Sequence, residues 1–244
     1  MYSTRLPFLP GQATELLVVS HGSPSDPEPQ ERFVRRLATR VGARTGADVR
    51  GTTLAKPGAL EAAVSGFRAP MVFPQFMTDG WFVSTNLQNR LAKAGLTAWT
   101  TLTPLGLNAN LPDLALRRVR AEISTLGVPE QDTTLVVAAH GSPSDPRPAR
   151  ATEAFVSALK ADGAFHNVRV GYVDENPSLE EAASVDGPAI VLPFFAARAG
   201  HILEDLPEAL DAAGFTGPVL PPIGAWDEIP FLIAALLQRQ RAAV

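Results

Sequence analysis

The feature that most constrains the fold of this chain is an internal repeat. Leu16–Pro27 reads LLVVSHGSPSDP and Thr134–Pro146 reads TLVVAAHGSPSDP, so His21 and His140 are related by an offset of 119 residues (140 minus 21). Nearly in-step matches continue over the following segments of both copies, with small gaps. A repeat of this length predicts that each copy folds as a structural unit of the same kind.

Each copy alternates short apolar runs with amphipathic stretches. ELLVVS at 15–20 is typical of a buried strand, and Phe33, Leu37 and Val41 follow it at the spacing of one helix face. Such alternation predicts an α/β fold in which a parallel sheet is flanked by helices. We therefore predict two homologous lobes of this type, residues 1–126 and 127–244. Ligands of such sheets bind outside the carboxyl ends of the strands, where both HGSPSDP segments fall.

The other elements are predicted from the same patterns. Further strands are expected at 49–55, 70–76, 97–102, 133–139, 167–173, 189–195 and 217–220. Further helices are expected near 59–65, 82–94, 113–126, 148–160, 179–184, 201–213 and 230–240.

Composition excludes several classes of function. The chain has 244 residues, no cysteine and a net charge of −4. The lack of cysteine rules out disulfides and thiolate metal sites, so a metal site must use His, Asp, Glu or backbone oxygen. The negative charge argues against a nucleic-acid partner. No apolar run suits a signal peptide or a membrane span, so we expect a cytoplasmic protein without a membrane partner.

Two histidines stand at predicted strand-to-helix junctions of the second copy. His140 closes a strand, and His201 follows Gly200 after the strand that ends in Pro-Phe-Phe. Neutral imidazole binds Co²⁺, Fe²⁺, Ni²⁺ or Zn²⁺ and can accept a proton near neutral pH. A capping or turn role is the alternative for either residue taken alone, whereas two at equivalent positions favour a metal site.

These motifs resemble the CbiX-type sirohydrochlorin chelatases, the class II tetrapyrrole chelatases. The resemblance rests on His140-Gly-Ser142, the Pro193-Phe-Phe strand, Gly200-His201 and Asp205-Leu-Pro207. It implies a bilobal α/β fold with a tetrapyrrole between the lobes and ATP-independent insertion of Co²⁺ or Fe²⁺, in cobalamin or siroheme biosynthesis. It also implies that His140 and His201 bind the metal and accept the pyrrole protons. No nucleotide is expected, which agrees with the absence of a phosphate-binding Gly-Lys loop.

The remaining candidate site residues are an acid, an arginine and a serine. The family's acidic metal ligand falls on Glu175 or on the neighbouring Asp174, because the copy here is shorter before Pro177. Arg198 is a candidate for binding the substrate's carboxylates, since a guanidinium suits them. Ser142 could donate a hydroxyl or backbone N–H to a carboxylate, or could instead cap a helix.

The first copy predicts no metal site of its own. It keeps His21 but has Trp81 where the second copy has His201, and Lys56 where the second has Glu175. We expect one catalytic centre, in the second lobe, with Trp81 and Phe82 either stacking on a flat ring or packing in the core. The chain is expected to act as a monomer or a homodimer.

Two other functions compete with the chelatase. The first is a non-catalytic protein of the same fold that binds a tetrapyrrole or a metal. The second is a serine hydrolase using Ser23 or Ser142, which ranks low because the chain has no Gly-x-Ser-x-Gly nucleophile turn.

Overall fold

The structure is a computed structural model, of which residues 14–198 and 204–242 are described. It contains two compact units. The first comprises the described residues up to Pro104 together with those from Asp227 onward, and the second comprises Leu105–Trp226.

Each unit is built on a parallel sheet. The strands are β1 Glu15–Ser20, β2 Asp48–Thr53, β3 Met71–Pro74, β4 Thr100–Thr101, β5 Thr134–Ala139, β6 Asn167–Tyr172 and β7 Ala189–Pro193. The first sheet has the strand order β2-β1-β3-β4 and the second has the order β6-β5-β7. The predicted α/β fold with two helix-flanked parallel sheets is confirmed.

Helices alternate with these strands along the chain. The α-helices are α1 Glu28–Thr45, α2 Ala59–Val64, α3 Leu87–Lys93, α4 Leu111–Leu126, α5 Arg147–Asp162, α6 Leu179–Ala183, α7 Asp205–Ala212 and α8 Ile229–Ala242. A π-helical turn, Phe82–Asn86, leads directly into α3. Within the described residues, no helix is long and apolar enough to cross a bilayer.

The two sheets reproduce the offset of the sequence repeat. Glu15 pairs with Asp48 in the first sheet, and Thr134 pairs with Asn167 in the second, both 119 residues later. The buried cores follow the same rule. Leu17, Val19, Leu60 and Val72 form part of the first core, and their counterparts at the same offset form part of the second, namely Val136, Ala138, Leu179 and Val191. The two copies therefore share the same buried core positions as well as the same sequence motif.

The last helix of each copy belongs to the compact unit of the other copy. Helix α4, which ends the first copy, lies in the second unit and packs against α5. Helix α8, which ends the second copy, lies in the first unit and packs against α1. The compact units therefore differ from the contiguous lobes 1–126 and 127–244. An amphipathic pattern shows that a helix buries one face, but it does not show which sheet that face will cover.

Four predicted elements differ clearly from expectation. The strand expected at 97–102 is reduced to Thr100–Thr101. The strand expected at 217–220 is only an isolated bridge between Val219 and Val191. The helix expected at 82–94 begins as the π-helical turn. The helix expected from His201 begins at Asp205, and residues 201–203 lie outside the described residues.

Candidate functional site

The central residue of the candidate site is His140, which directly follows β5 at the carboxyl end of the second sheet. The His140 carbonyl accepts a hydrogen bond of 3.0 Å from the Asp174 amide, just beyond β6. The two side chains also meet, with His140 Nδ1 3.0 Å from Asp174 Oδ2. Both side chains are about two-fifths exposed, at 42% and 40%. Asp174 is close enough to form an ion pair with a protonated His140, and a carboxylate beside Nδ1 leaves Nε2 as the nitrogen suited to a metal or a proton.

The turn after His140 is shaped around Glu175. Gly141 has φ +75°, and a Cβ there would lie 3.1–3.2 Å from the Glu175 side chain. A non-glycine residue would therefore be strained at this position and would also crowd Glu175. The Ser142 amide donates a hydrogen bond to Glu175 Oε1. Sequence reasoning left Asp174 and Glu175 as alternatives; in the structure Asp174 contacts His140 and Glu175 contacts the loop.

The rest of the HGSPSDP loop is held by its own side chains. Ser142 Oγ lies 3.4 Å from Ser144 Oγ. Arg147 pairs with Asp145 at 2.7 Å and donates its backbone amide to the same carboxylate at 3.0 Å. Ser142 thus has its amide directed to Glu175, while its partly exposed hydroxyl stands at the rim. The role predicted for Ser142 toward a substrate carboxylate stays a prediction.

Arg198 is exposed and follows β7 at the same end of the sheet. The backbone before it is supported by Gly224, whose amide donates to the Phe195 carbonyl at 2.9 Å. A Cβ at Gly224 would lie 2.0 Å from the Ala196 carbonyl oxygen, so only glycine permits this approach. Arg198 also lines an open cavity of about 400 Å³ whose apolar walls include Leu206 and Leu210. Its place at the carboxyl end of β7 is compatible with the predicted carboxylate contact.

His201, the second predicted histidine, lies outside the described residues. Among the residues that are described, no cluster of three or more His, Asp or Glu side chains is arranged to hold a metal ion. The described part of the site therefore consists of one imidazole with its carboxylate partner, and a second carboxylate one residue further along the chain.

The carboxyl end of each sheet, with the side chains that follow its strands, forms the rim of that repeat. The rim of the first repeat has different chemistry from that of the second. His21 is exposed and its Nδ1 lies 2.7 Å from the Gly22 carbonyl oxygen. Where Asp174 and Glu175 stand in the second repeat, the first has Ala55 and Lys56, and Lys56 pairs with Glu28 at 2.6 Å. No carboxylate follows β2 at these two positions, so the first repeat lacks the acids that accompany His140.

Aromatic rings stand at that rim instead. Trp81 is 51% exposed and Phe82 is 40% exposed, so the alternative of core packing is wrong for both. Phe82 makes edge-to-face contacts with His21, at a centroid distance of 4.4 Å, and with Trp81, at 5.2 Å.

Tyr172 is a residue that sequence reasoning missed. It ends β6, is 3% exposed, and its hydroxyl has no hydrogen-bond partner among the described residues. Burial raises the pKa of the Tyr172 hydroxyl to about 12, and the charges of Glu153 and Glu175 act in the same direction. Its counterpart at the repeat offset is Thr53, whose hydroxyl donates to buried Glu31 at 2.9 Å, so only the structure separates the two positions.

Comparison with known proteins finds relatives that cover most of this chain. The CbiX family model matches residues 134–240. A CbiX described as the terminal enzyme for biosynthesis of siroheme in denitrifying bacteria is 39% identical, with a TM-score of 0.85 and coverage of 92% of this chain and 98% of that chain. No curated protein matches the chain significantly.

Two more distant structures share the fold. SirB from Bacillus subtilis with Fe³⁺ is 14% identical, with a TM-score of 0.74 and coverage of 93% of this chain and 95% of that chain. The sirohydrochlorin chelatase SirB from Bacillus subtilis subspecies spizizenii, in complex with cobalt, is 15% identical, with a TM-score of 0.69 and coverage of 94% of both chains. At these identities the likeness concerns the fold alone.

Proposed function

The chain belongs to the CbiX family of sirohydrochlorin chelatases, and we propose that it inserts a divalent metal, Co²⁺ or Fe²⁺, into sirohydrochlorin without ATP. The observation that carries this proposal is the pair formed by His140 and Asp174 at the carboxyl end of the second sheet. It supplies one oriented imidazole at the edge where parallel sheets bind their ligands.

The reaction requires a base as well as a metal-binding group. One divalent ion enters the ring, two pyrrole N–H bonds break, and two protons leave, so the charges balance. An imidazole held through Nδ1 can use Nε2 first to bind the incoming ion and then, once the ion has left, to accept a proton. Asp174 stabilises the protonated imidazole of His140 and keeps its orientation.

The other predicted residues complete the proposal. His201 is the second metal-binding and proton-accepting group. Glu175 is the acidic ligand, and to act as one its carboxylate must turn from the Ser142 amide toward the ion. Arg198 and Ser142 bind substrate carboxylates, because a guanidinium and a hydroxyl both donate hydrogen bonds to them.

An anaerobic absorbance assay tests the proposal directly. Sirohydrochlorin is mixed with Co²⁺ or Fe²⁺ in the presence of wild-type protein, His140→Ala, His201→Ala or His166→Ala. His166 is a matched control, since it is an exposed histidine in a loop of the same unit. We expect acceleration by wild type and His166→Ala, and a loss of at least about a hundredfold in the other two variants. Equal rates for all four proteins would contradict the assignment of the two histidines.

The competing function is a binding protein that holds the tetrapyrrole and does not metalate it. It makes a different prediction in the same assay. Wild-type protein would shift the absorbance of the free ring, yet addition of metal would give no rate above that of the uncatalysed reaction.

A further inference from the structure

The exposed side of α8 contains an aromatic residue that the packing of this helix does not explain. The buried side includes Leu232, Ile233 and Leu236, whereas the exposed side continues into glutamine and arginine near the end of the helix. Phe231 lies on the exposed side, and at 58% it is the most exposed large apolar side chain among the described residues. An amphipathic helix normally has a polar residue at such a position. One exposed apolar side chain is common on protein surfaces, so the residues beside Phe231 decide its meaning.

A row of arginines on α1 lies beside Phe231. Its members follow one another at intervals of four residues, which places them on one face of the helix: Arg32, Arg36, Arg40 and Arg44. The Arg44 guanidinium lies over the Phe231 ring, 4.0 Å from its centroid, and Arg40 pairs at 2.9 Å with Asp227, just before α8. Like charges at this spacing weaken a helix slightly, so helix stability does not account for the row. Arginine and aromatic side chains are enriched together at protein interfaces, and we call Phe231 with these four arginines the basic patch.

The second unit has a surface with complementary chemistry. The open cavity of about 400 Å³ beside α7 has an apolar lining that includes Leu210 and Val219. Val219 is itself 45% exposed, so this cavity also keeps apolar surface in water. The exposed acids Glu208 and Asp211 stand on α7, which contains no basic residue, and Asp211 lines the cavity. We call this cavity with its two acids the acidic cavity.

The charge of the chain is divided unequally between the two units. Leu105–Trp226, the second unit, contains 8 Lys and Arg against 16 Asp and Glu, a net charge of −8 (8 minus 16). The rest of the sequence contains 13 Lys and Arg against 9 Asp and Glu, a net charge of +4 (13 minus 9). Opposite charges on two surfaces accelerate and orient their association. The first unit of one copy is therefore attracted to the second unit of another, although the chain as a whole is acidic.

We propose that copies of this chain associate with one another through these two surfaces, with the Phe231 side chain of one copy in the acidic cavity of another. Arg44 then lies near Asp211 of the other copy. Arg198, the other charged residue described in the cavity lining, can pair with the exposed carboxylate of Asp227. Each surface thus offers charges of both signs around an apolar centre, an arrangement that stabilises and orients protein contacts. Because every copy has both surfaces, the contact joins different parts of the two copies.

Analytical ultracentrifugation of the purified full chain tests this association without metal or tetrapyrrole. Sedimentation is followed over a wide range of protein concentration, at low and at high salt, for wild type, Phe231→Ala, Arg44→Glu, Asp211→Arg and the double variant with both charge reversals. Leu126→Ala is the matched control for Phe231→Ala, because Leu126 is an exposed apolar residue on α4. Arg68→Glu is the matched control for Arg44→Glu, because Arg68 is an exposed arginine of the first unit outside α1 and α8.

We expect wild type to form a concentration-dependent complex that weakens as the salt concentration rises, because salt screens exposed charges. Phe231→Ala should raise the Kd of association at least about tenfold, as removal of a central aromatic residue does in protein interfaces. Arg44→Glu and Asp211→Arg should each weaken association, and the double variant should associate more tightly than either, because the two charges are exchanged. Both controls should associate like wild type.

Three results would overturn the inference. The first is a wild type that stays monomeric at every concentration and at low salt, which would assign the basic patch to a different protein. The second is association that Phe231→Ala and Asp211→Arg weaken no more than the controls do, because the contact would then lie elsewhere. The third is weakening in both charge reversals without recovery in the double variant, because Arg44 and Asp211 would then not face each other.

Folding of the variants is checked separately by circular dichroism. The replaced side chains of Phe231, Arg44 and Asp211 are exposed, so their loss removes no core contact. Asp211→Arg also tests the cavity side of the contact independently of the basic patch. Failure of association leaves the proposed function unaffected, since no step of metalation depends on it.

Discussion

The two repeats have the same strand register and the same core positions, yet their rims differ in chemistry. The second has an imidazole, His140, held by Asp174. The first has His21, which contacts Phe82 and the carbonyl next to it. The difference comes from substitutions just beyond the strands, where side chains do not support the sheet. Duplication thus preserves what the core requires and leaves the residues beyond the strands free to diverge.

Replacing the two equivalent histidines should have the largest and most unequal effect. We expect His140→Ala to reduce kcat by at least about a hundredfold, since it removes the oriented base. His21→Ala should leave most of kcat, because no acid of the kind that accompanies His140 stands beside it in the first repeat. Steady-state metalation of sirohydrochlorin with each variant measures both. Equal losses in kcat would mean that the repeats share the chemistry.

The carboxylate behind His140 should come next. We expect Asp174→Asn to reduce kcat/KM roughly ten- to a hundredfold, the usual cost of removing an outer partner of a metal-binding histidine. The rate of metalation and the apparent affinity for Co²⁺ measure the effect. Wild-type kinetics in this variant would show that Asp174 does not orient the ring.

The charge reversal between Glu175 and Lys56 should appear in stability. Glu175→Ala removes the acceptor of the Ser142 amide, and we expect it to lower the free energy of unfolding by about 2 kcal/mol. Lys56→Ala breaks an exposed ion pair and should cost about 0.5 kcal/mol or less. Urea unfolding at neutral pH compares them. A larger loss for Lys56→Ala would reverse our interpretation of the two loops.

The smallest expected effect is a gain. Tyr172 buries a hydroxyl that lacks a hydrogen-bond partner among the described residues, whereas Thr53 has one. Tyr172→Phe should therefore raise the free energy of unfolding by about 1 kcal/mol at neutral pH. Because the pKa of Tyr172 is raised to about 12 in the folded protein, the fold disfavours the ionised hydroxyl, so wild-type stability falls as the pH rises from about 10 toward 12.

Denaturation at alkaline pH checks the sign of this effect. Wild type should lose stability between about pH 10 and 12 more steeply than Tyr172→Phe. Identical slopes for the two proteins would mean that Tyr172 does not titrate with a raised pKa.

Much of the fold could be predicted, because both copies of the repeat show the same order of strand and helix patterns. The strand at 15–20 was predicted with its observed bounds, and the offset of 119 that indicated two similar lobes also relates the strand pairing of the two sheets. The unit against which α4 or α8 packs could not be predicted, because an apolar stripe shows that a helix face is buried but not which sheet it covers. The position of His140 at the end of a strand was predicted, with Asp174 and Glu175 as candidate acids, and the roles of these residues stay predictions. Which acid faces the imidazole depends on the turn after β6, and the sequence pattern does not specify that turn.

The exchange of α4 and α8 has a consequence for biosynthesis. The strands of the first sheet are complete by Thr101, whereas the helix that packs on α1 begins only at Ile229, 128 residues later (229 minus 101). At translation rates of roughly 5 to 20 residues per second, that interval lasts about 6 to 26 seconds. During this time the face of α1 on which α8 packs has no partner in the part of the chain already synthesised. The unit that is begun first is therefore the last to be completed on the ribosome.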